Sequence, residues 1–280
     1  VAGAILLLAG FWAAWVSQGG SRSAPIVPDG AQRLIAGVFV VSLAAFGLWA
    51  WQSQPVQVDG TPFTAVFSNG EYGYACYRIP SLVRAGDGSL VAFAEGRVEN
   101  CGDGDGIIRV VNKRSVDNGR TWGPLQVVGE FVDDVGVEHV AQSPTALVDL
   151  TDPENPDGNL FLFFNKVGLE RGALGAQRVG ERSAWLTQSA DQGLTWSDPV
   201  EVTEQISRPG GRHNWRGQVS AVGHAIQLRG TEAQPVTKDR LFVMAHANMD
   251  GVVHNYAFWS DDHGATWEVG GVNPQPWLDE

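Results

Sequence analysis

Ser115-Val116-Asp117-Asn118-Gly119-Arg120-Thr121-Trp122, SVDNGRTW, returns as SADQGLTW at 189–196 and as SDDHGATW at 260–267. The shared pattern is Ser-x-Asp-x-Gly-x-Thr-Trp, and the copies start 74 and 71 residues apart. Each position has a mechanical reading. Ser and Asp side chains bond the backbone of a tight turn, and Gly supplies positive φ without a Cβ clash. Trp then anchors the returning strand in a core. Asp117, Asp191 and Asp261 are accordingly expected as turn staples, not catalysts. A strand–turn–strand unit repeating at this spacing predicts the blades of a β-propeller.

The surrounding texture agrees. Short apolar runs separated by turn residues occupy 89–94, 107–113, 160–165, 184–187, 221–228, 241–245 and 256–260. No amphipathic helix of more than two turns competes with them, so residues 56–280 are expected to be all-β. The 35 glycines and 11 tryptophans of the 280-residue chain fit many tight turns and a Trp-anchored core. A net charge of −12 excludes a nucleic-acid partner, which needs a basic face.

Residues 1–55 read differently. An apolar run covers Val1 to Val16, and Leu34 to Trp51 is an uncharged stretch of 18 residues, close to the ~20 that a membrane helix needs. Between them lie Arg22 and Arg33 against one Asp29, while Trp49 and Trp51 sit where an interfacial belt would. This charge bias predicts a cytoplasmic linker and an extracytoplasmic domain after Trp51, held to the membrane by two helices. A signal peptide or buried core helices are the other readings of these runs. The chain opens on Val1 and stops at Glu280 without a tail, the pattern expected of a fragment.

Upstream of the first repeat, Tyr77-Arg78-Ile79-Pro80, then AFAEGR at 92–97, then Asn100-Cys101-Gly102-Asp103 follow in order. With the three octapeptides, which look like Asp-boxes, this series resembles the sialidase (neuraminidase) family over roughly residues 67–280. The resemblance implies a six-bladed β-propeller, incomplete here, acting on terminal sialic acid. Arg78 would be one of three arginines clamping the substrate carboxylate with a planar, bidentate, permanently charged fork. Arg97 would lie beside the sugar's O4; its other reading is a cation that neutralises Glu95 or Glu99. Asp103 would be the general acid and base, with Asp105 in reserve.

The retaining mechanism implied uses a tyrosine nucleophile, for which Tyr72, Tyr74, Tyr77 and Tyr256 have the wrong context. That tyrosine and two further arginines are expected beyond residue 280. Residues 273–280 resemble the approach to the family's buried glutamate, which makes Glu280 the candidate partner of the tyrosine. Residues 223–228 resemble a GPGxGIQL strand but lack its Gly-Pro, and His246 and Asn248 sit where some relatives place aromatics. Partners implied are sialylated glycans, glycoproteins or glycolipids.

Cys76 and Cys101 flank the proposed site and read equally as a disulfide or as two buried thiols. No cofactor or metal is expected. The six histidines lack ligand spacing, and CGDGDG at 101–106 has neither the ending of a phosphate loop nor the later acid of a calcium loop. A function of a different class, a non-catalytic Asp-box lectin or adhesin, uses the same propeller.

Overall fold

The computed structural model describes residues 56–58, 61–103, 106–172, 175–207, 216–218, 223–230, 238–249 and 252–273. All fall within one compact unit, Pro55–Glu280. The expected spans at 1–16 and 34–51, together with Asp105 and Glu280, lie outside the described residues. Among the described residues no helix is long and apolar enough to cross a membrane.

A small hairpin, β1 (Val56–Val58) and β2 (Thr61–Phe63), comes first. Next is a four-stranded antiparallel sheet of β3 (Cys76–Arg84), β4 (Leu90–Arg97), β5 (Ile108–Ser115) and β6 (Gln126–Gly129). The second sheet contains β7 (Phe131–Val132), β8 (Glu138–Asp149), β9 (Asn159–Gly172), β10 (Gly175–Ser189) and β11 (Val200–Glu201). After β12 (Arg216–Gln218), β13 (Gly223–His224) joins β8 in parallel, and β14 (Ile226–Gln227) joins the next sheet. That third sheet holds β15 (Leu241–Met249), β16 (Val252–Ser260) and β17 (Glu268–Val272). The run expected as one strand at 221–228 is therefore two short pairings, because the chain there passes from one sheet to the next. β8 carries no long apolar run, since Gln142-Ser143-Pro144 interrupts it. The strand absorbs the interruption as a bulge with Ser143 at φ 60°.

The octapeptides make the turns that lead from β5 to β6, from β10 to β11 and from β16 to β17, each starting at the last residue of the earlier strand. In the first, Ser115 Oγ accepts from the Gly119 amide at 2.8 Å, and Thr121 donates its amide and hydroxyl to Asp117 at 2.9 and 2.7 Å. Those bonds, the Thr121 amide foremost, hold the Asp117 carboxyl down to about 2. Asp191 repeats the arrangement with Thr195. In the third copy the staple is Asp262, not Asp261: Asp262 takes the Thr266 amide at 2.8 Å, and Ser260 donates to it at 2.7 Å. Asp261 points away into a two-pronged pair with Arg240, at 2.8 and 2.7 Å. The turn needs its carboxylate two residues after the Ser, and Asp261 is one residue too early.

The strand β9 explains how the sheets stack. Its run Leu160-Phe161-Leu162-Phe163-Phe164 is buried throughout. Leu160, Leu162 and Phe164 pack with Val91 and Phe93 of the first sheet, while Phe161 and Phe163 pack with Phe258 and Trp267 of the third. A strand buried on both faces loses the alternating pattern. The box tryptophans complete these contacts: Trp196 meets Phe93 edge-on at 5.6 Å and Trp267 meets Phe163 at 5.0 Å. The fourth box residue also crosses between sheets. Gln192 accepts from the Gly86 amide at 2.8 Å, and His263 Nδ1 lies 2.7 Å from the fully buried Asp149.

This close approach sets one expected outcome. Gly264 has φ +88°, and a Cβ there would lie 2.4 Å from Phe161 Cε1, whereas at Gly119 (φ +81°) the nearest atom is 3.5 Å away. Gly119→Ala should cost about 1 kcal/mol from backbone strain. Gly264→Ala adds overpacking of about 1–3 kcal/mol. Urea unfolding of the two variants side by side measures the difference, and equal losses would show that the third box does not press on β9.

Candidate active site

The site candidates converge at one end of the first sheet. β3 is bulged between Arg78 and Ser81, where Ile79 takes φ 53° ahead of Pro80. A β-branched residue in that region is strained, and such strain concentrates at functional positions. The bulge falls directly after Arg78, which keeps its pairing in the ladder. β4 supplies Glu95 and Arg97, two residues apart and so on one face. The register sets Arg78 opposite Glu95, and Cys76 opposite Arg97.

The loop after β4 returns over this face. Cys76 and Cys101 form a disulfide, with Cα atoms 5.3 Å apart. Arg97 Nη1 donates to the carbonyls of Cys101 and Gly102 at 2.8 and 2.7 Å and to Asp103 Oδ1 at 2.8 Å. The rest of its guanidinium faces Glu95, with Nε at 3.0 Å and Nη2 at 2.5 Å from Oε2. Arg78 Nη1 reaches the same Asp103 oxygen at 2.7 Å. Asp103 thus bridges two guanidinium groups while its own side chain stays 70% exposed. At the back of the loop, Glu99 accepts from the Ile107 amide and pairs with Arg171 of β9.

Electrostatics follow from these bonds. The hydrogen bond from Arg97, then that from Arg78, holds the Asp103 carboxyl below its ordinary range, although partial burial works the other way. Burial opposes the charge on Arg97, but its bonds to Glu95 and Asp103 outweigh that and raise its pKa. His246 of β15 is pushed down to about 4 by burial and then by Arg182, so it is neutral near pH 7.

Of the residues singled out in the sequence, Arg78, Arg97 and Asp103 come together. Arg97 is 3% exposed and holds the loop as well as Glu95, so of its two neutralising partners Glu95 is the one found. Glu95, 2% exposed, also accepts from the Ser143 amide of β8 at 2.8 Å, which ties the site to the second sheet. The sequence signal for Glu95 was a carboxylate two residues before an arginine in an otherwise apolar strand. Arg178 of β10, within electrostatic range of Glu95, Arg97 and Asp103, had no such signal.

Sheets bent around stacked inner strands, turns stapled by Asp-boxes, and an arginine–aspartate cluster at one rim define a propeller-like, all-β protein of the Asp-box class. The chain belongs to the BNR repeat-like domain family, whose model matches residues 88–276. Curated relatives include a sialidase of Micromonospora viridifaciens, 32% identical over 227 residues, covering 77% of this chain and 32% of the relative. Sialidase-4 of Homo sapiens is 30% identical over 233 residues, covering 78% and 44%. This chain therefore spans roughly a third to a half of the length of these relatives. Among solved structures, the Hadza microbial sialidase Hz136 aligns with TM-score 0.60 and 24% identity, over 78% of this chain and 43% of that one. A Trypanosoma rangeli sialidase in complex with sialic acid aligns with TM-score 0.51 and 22% identity, over 77% and 32%. These two likenesses establish the fold.

Proposed function

We propose that the protein is an exo-sialidase that hydrolyses terminal α-linked sialic acid from glycoconjugates, on a six-bladed propeller of which this chain supplies the first part. The observation that carries the reading is the 2.7 Å contact between Arg78 and Asp103 at the bulged end of β3. A carboxylate-binding cation and an acid are what cleavage of a 2-carboxyl glycoside needs side by side. Asp103 also acts as a stand-in: in the free site its carboxylate occupies a guanidinium that a substrate carboxylate would take. Arrival of that carboxylate on Arg78 withdraws one of the two bonds that hold Asp103 ionised and adds negative charge beside it. Both changes raise its pKa, which favours the protonated form that a general acid requires.

Arg97 then acts as a positioning residue, holding the acid loop against Glu95 while the disulfide restrains the loop's start. Cleavage proceeds with retention, by a tyrosine nucleophile partnered by Glu280. The domain works outside the cytoplasm, tethered by helices at 1–16 and 34–51; an engaged disulfide fits an oxidising compartment. Supporting the reading are the sialidase names of the curated relatives.

Release of sialic acid from 3′-sialyllactose by the full-length protein tests it. Arg78→Gln should raise KM and lower kcat/KM by about 10–150-fold, the worth of about 1.5–3 kcal/mol for charge-assisted bonding. Binding of sialyllactose without any turnover would replace the hydrolase with a lectin. Unaltered kinetics in Arg78→Gln would remove the clamp.

A further inference from the structure

Arg178 stands on β10 opposite Leu169 of β9, in the hairpin that also sends Arg171 to Glu99 behind the acid loop. It is half-buried, and its Nε is enclosed without a hydrogen-bond partner among the described residues. Glu95, Arg97 and Asp103 lie within its electrostatic range. Yet Glu95 is already bound to Arg97 and the Ser143 amide, and Asp103 to Arg97 and Arg78. Arg182, four residues along, adds like charge, and burial followed by that neighbour pushes the Arg178 pKa down. A guanidinium drawn out of water without a counter-charge is unfavourable. In a chain of net charge −12, carboxylates were plentiful to neutralise it. A cation beside the site with no carboxylate of its own among the described residues, only a share of two engaged elsewhere, is a place prepared for an anion from outside.

The chemistry of the proposed reaction says where that anion sits. A sialic acid residue has one ionised group, its carboxylate, and Arg78 takes it. Any second anion therefore belongs to the leaving group, which lies on the side of Asp103, the acid that protonates the departing oxygen. Resting on the sialidase reading, we propose that Arg178 binds an anionic leaving group: the carboxylate of a second sialic acid, or a sulfate ester on the adjoining sugar.

The test compares kcat/KM of the full-length protein and of Arg178→Gln on three sialosides. Their leaving groups are a neutral galactoside, the same galactoside bearing a sulfate ester, and a second sialic acid. The ratio of charged to neutral substrate should fall about tenfold in the variant, the scale of one charge-assisted hydrogen bond. A fall for the disialyl substrate alone assigns the carboxylate; a fall for both assigns any compact anion. An unchanged ratio, or an equal loss on all three substrates, overturns the proposal. Calorimetry with monosialyl- and disialyllactose needs no turnover and separates the two ideas. An Arg178-dependent preference for the disialyl ligand in a protein that hydrolyses neither sinks the hydrolase alone, whereas no preference sinks the carboxylate arm and, with an unchanged ratio on the sulfated substrate, the whole anion site.

Discussion

Asp103→Asn should lower kcat on 3′-sialyllactose by about 10²–10⁴-fold, the range that a positioned general acid contributes. The substitution keeps an oxygen for Arg97 and Arg78 but removes the transferable proton. The loss should depend on the leaving group. A sugar hydroxyl is a poor leaving group that must be protonated as it departs, whereas a nitrophenolate leaves without help. The same variant should therefore lose much less on an aryl sialoside when departure of the leaving group limits the rate. Parallel losses on both substrates would mean that Asp103 only supports the fold of its loop. Equal rates for variant and wild type on both would take it out of the mechanism altogether.

Glu95→Ala should destabilise the protein by about 3–5 kcal/mol, because it strips the buried Nε and Nη2 edge of Arg97 of its carboxylate and leaves only the exposed Asp103 on Nη1. The two side chains are 2% and 3% exposed, so water cannot take over the lost contact. The variant also orphans the Ser143 amide, which donates to Glu95 across the gap between the first two sheets. Denaturant unfolding of Glu95→Leu, of Arg97→Met and of the double variant Glu95→Leu/Arg97→Met measures the coupling. The double variant should recover part of the loss, since an apolar pair needs no counter-charge. Recovery stays partial because the Cys101 and Gly102 carbonyls lose the Arg97 donor. A loss below about 1 kcal/mol in Glu95→Ala would fit an exposed pair and contradict its burial.

These two expectations concern neighbouring groups but separate properties. Asp103 is 70% exposed and its surroundings bear on chemistry, whereas Glu95 lies underneath and bears on the integrity of the scaffold. Arg97 joins them, giving one edge of its guanidinium to the buried carboxylate and Nη1 to the acid loop. A substitution at Arg97 would mix both effects, which is why its partners are the cleaner probes.

The sequence by itself determined the turns, the all-β class and the identity of the cluster. Every bond in a box joins residues at most four apart, such as Ser115 to Gly119 and Asp117 to Thr121, so eight residues contain all the physics of the turn. In the third copy the Ser-x-Asp spacing itself falls on Asp262 rather than on the expected Asp261, and the structure agrees, with Asp262 in the turn and Asp261 on Arg240. Tertiary structure alone decided the partners across strands. It chose Glu95 over Glu99 for Arg97, joined Cys76 to Cys101, buried both faces of β9, and left Arg178 beside carboxylates already bound to other groups. Hydrogen bonds within a turn are set by neighbours along the chain. Which charge compensates which is set by distances between strands that are remote in sequence, and those exist only once the sheets have stacked.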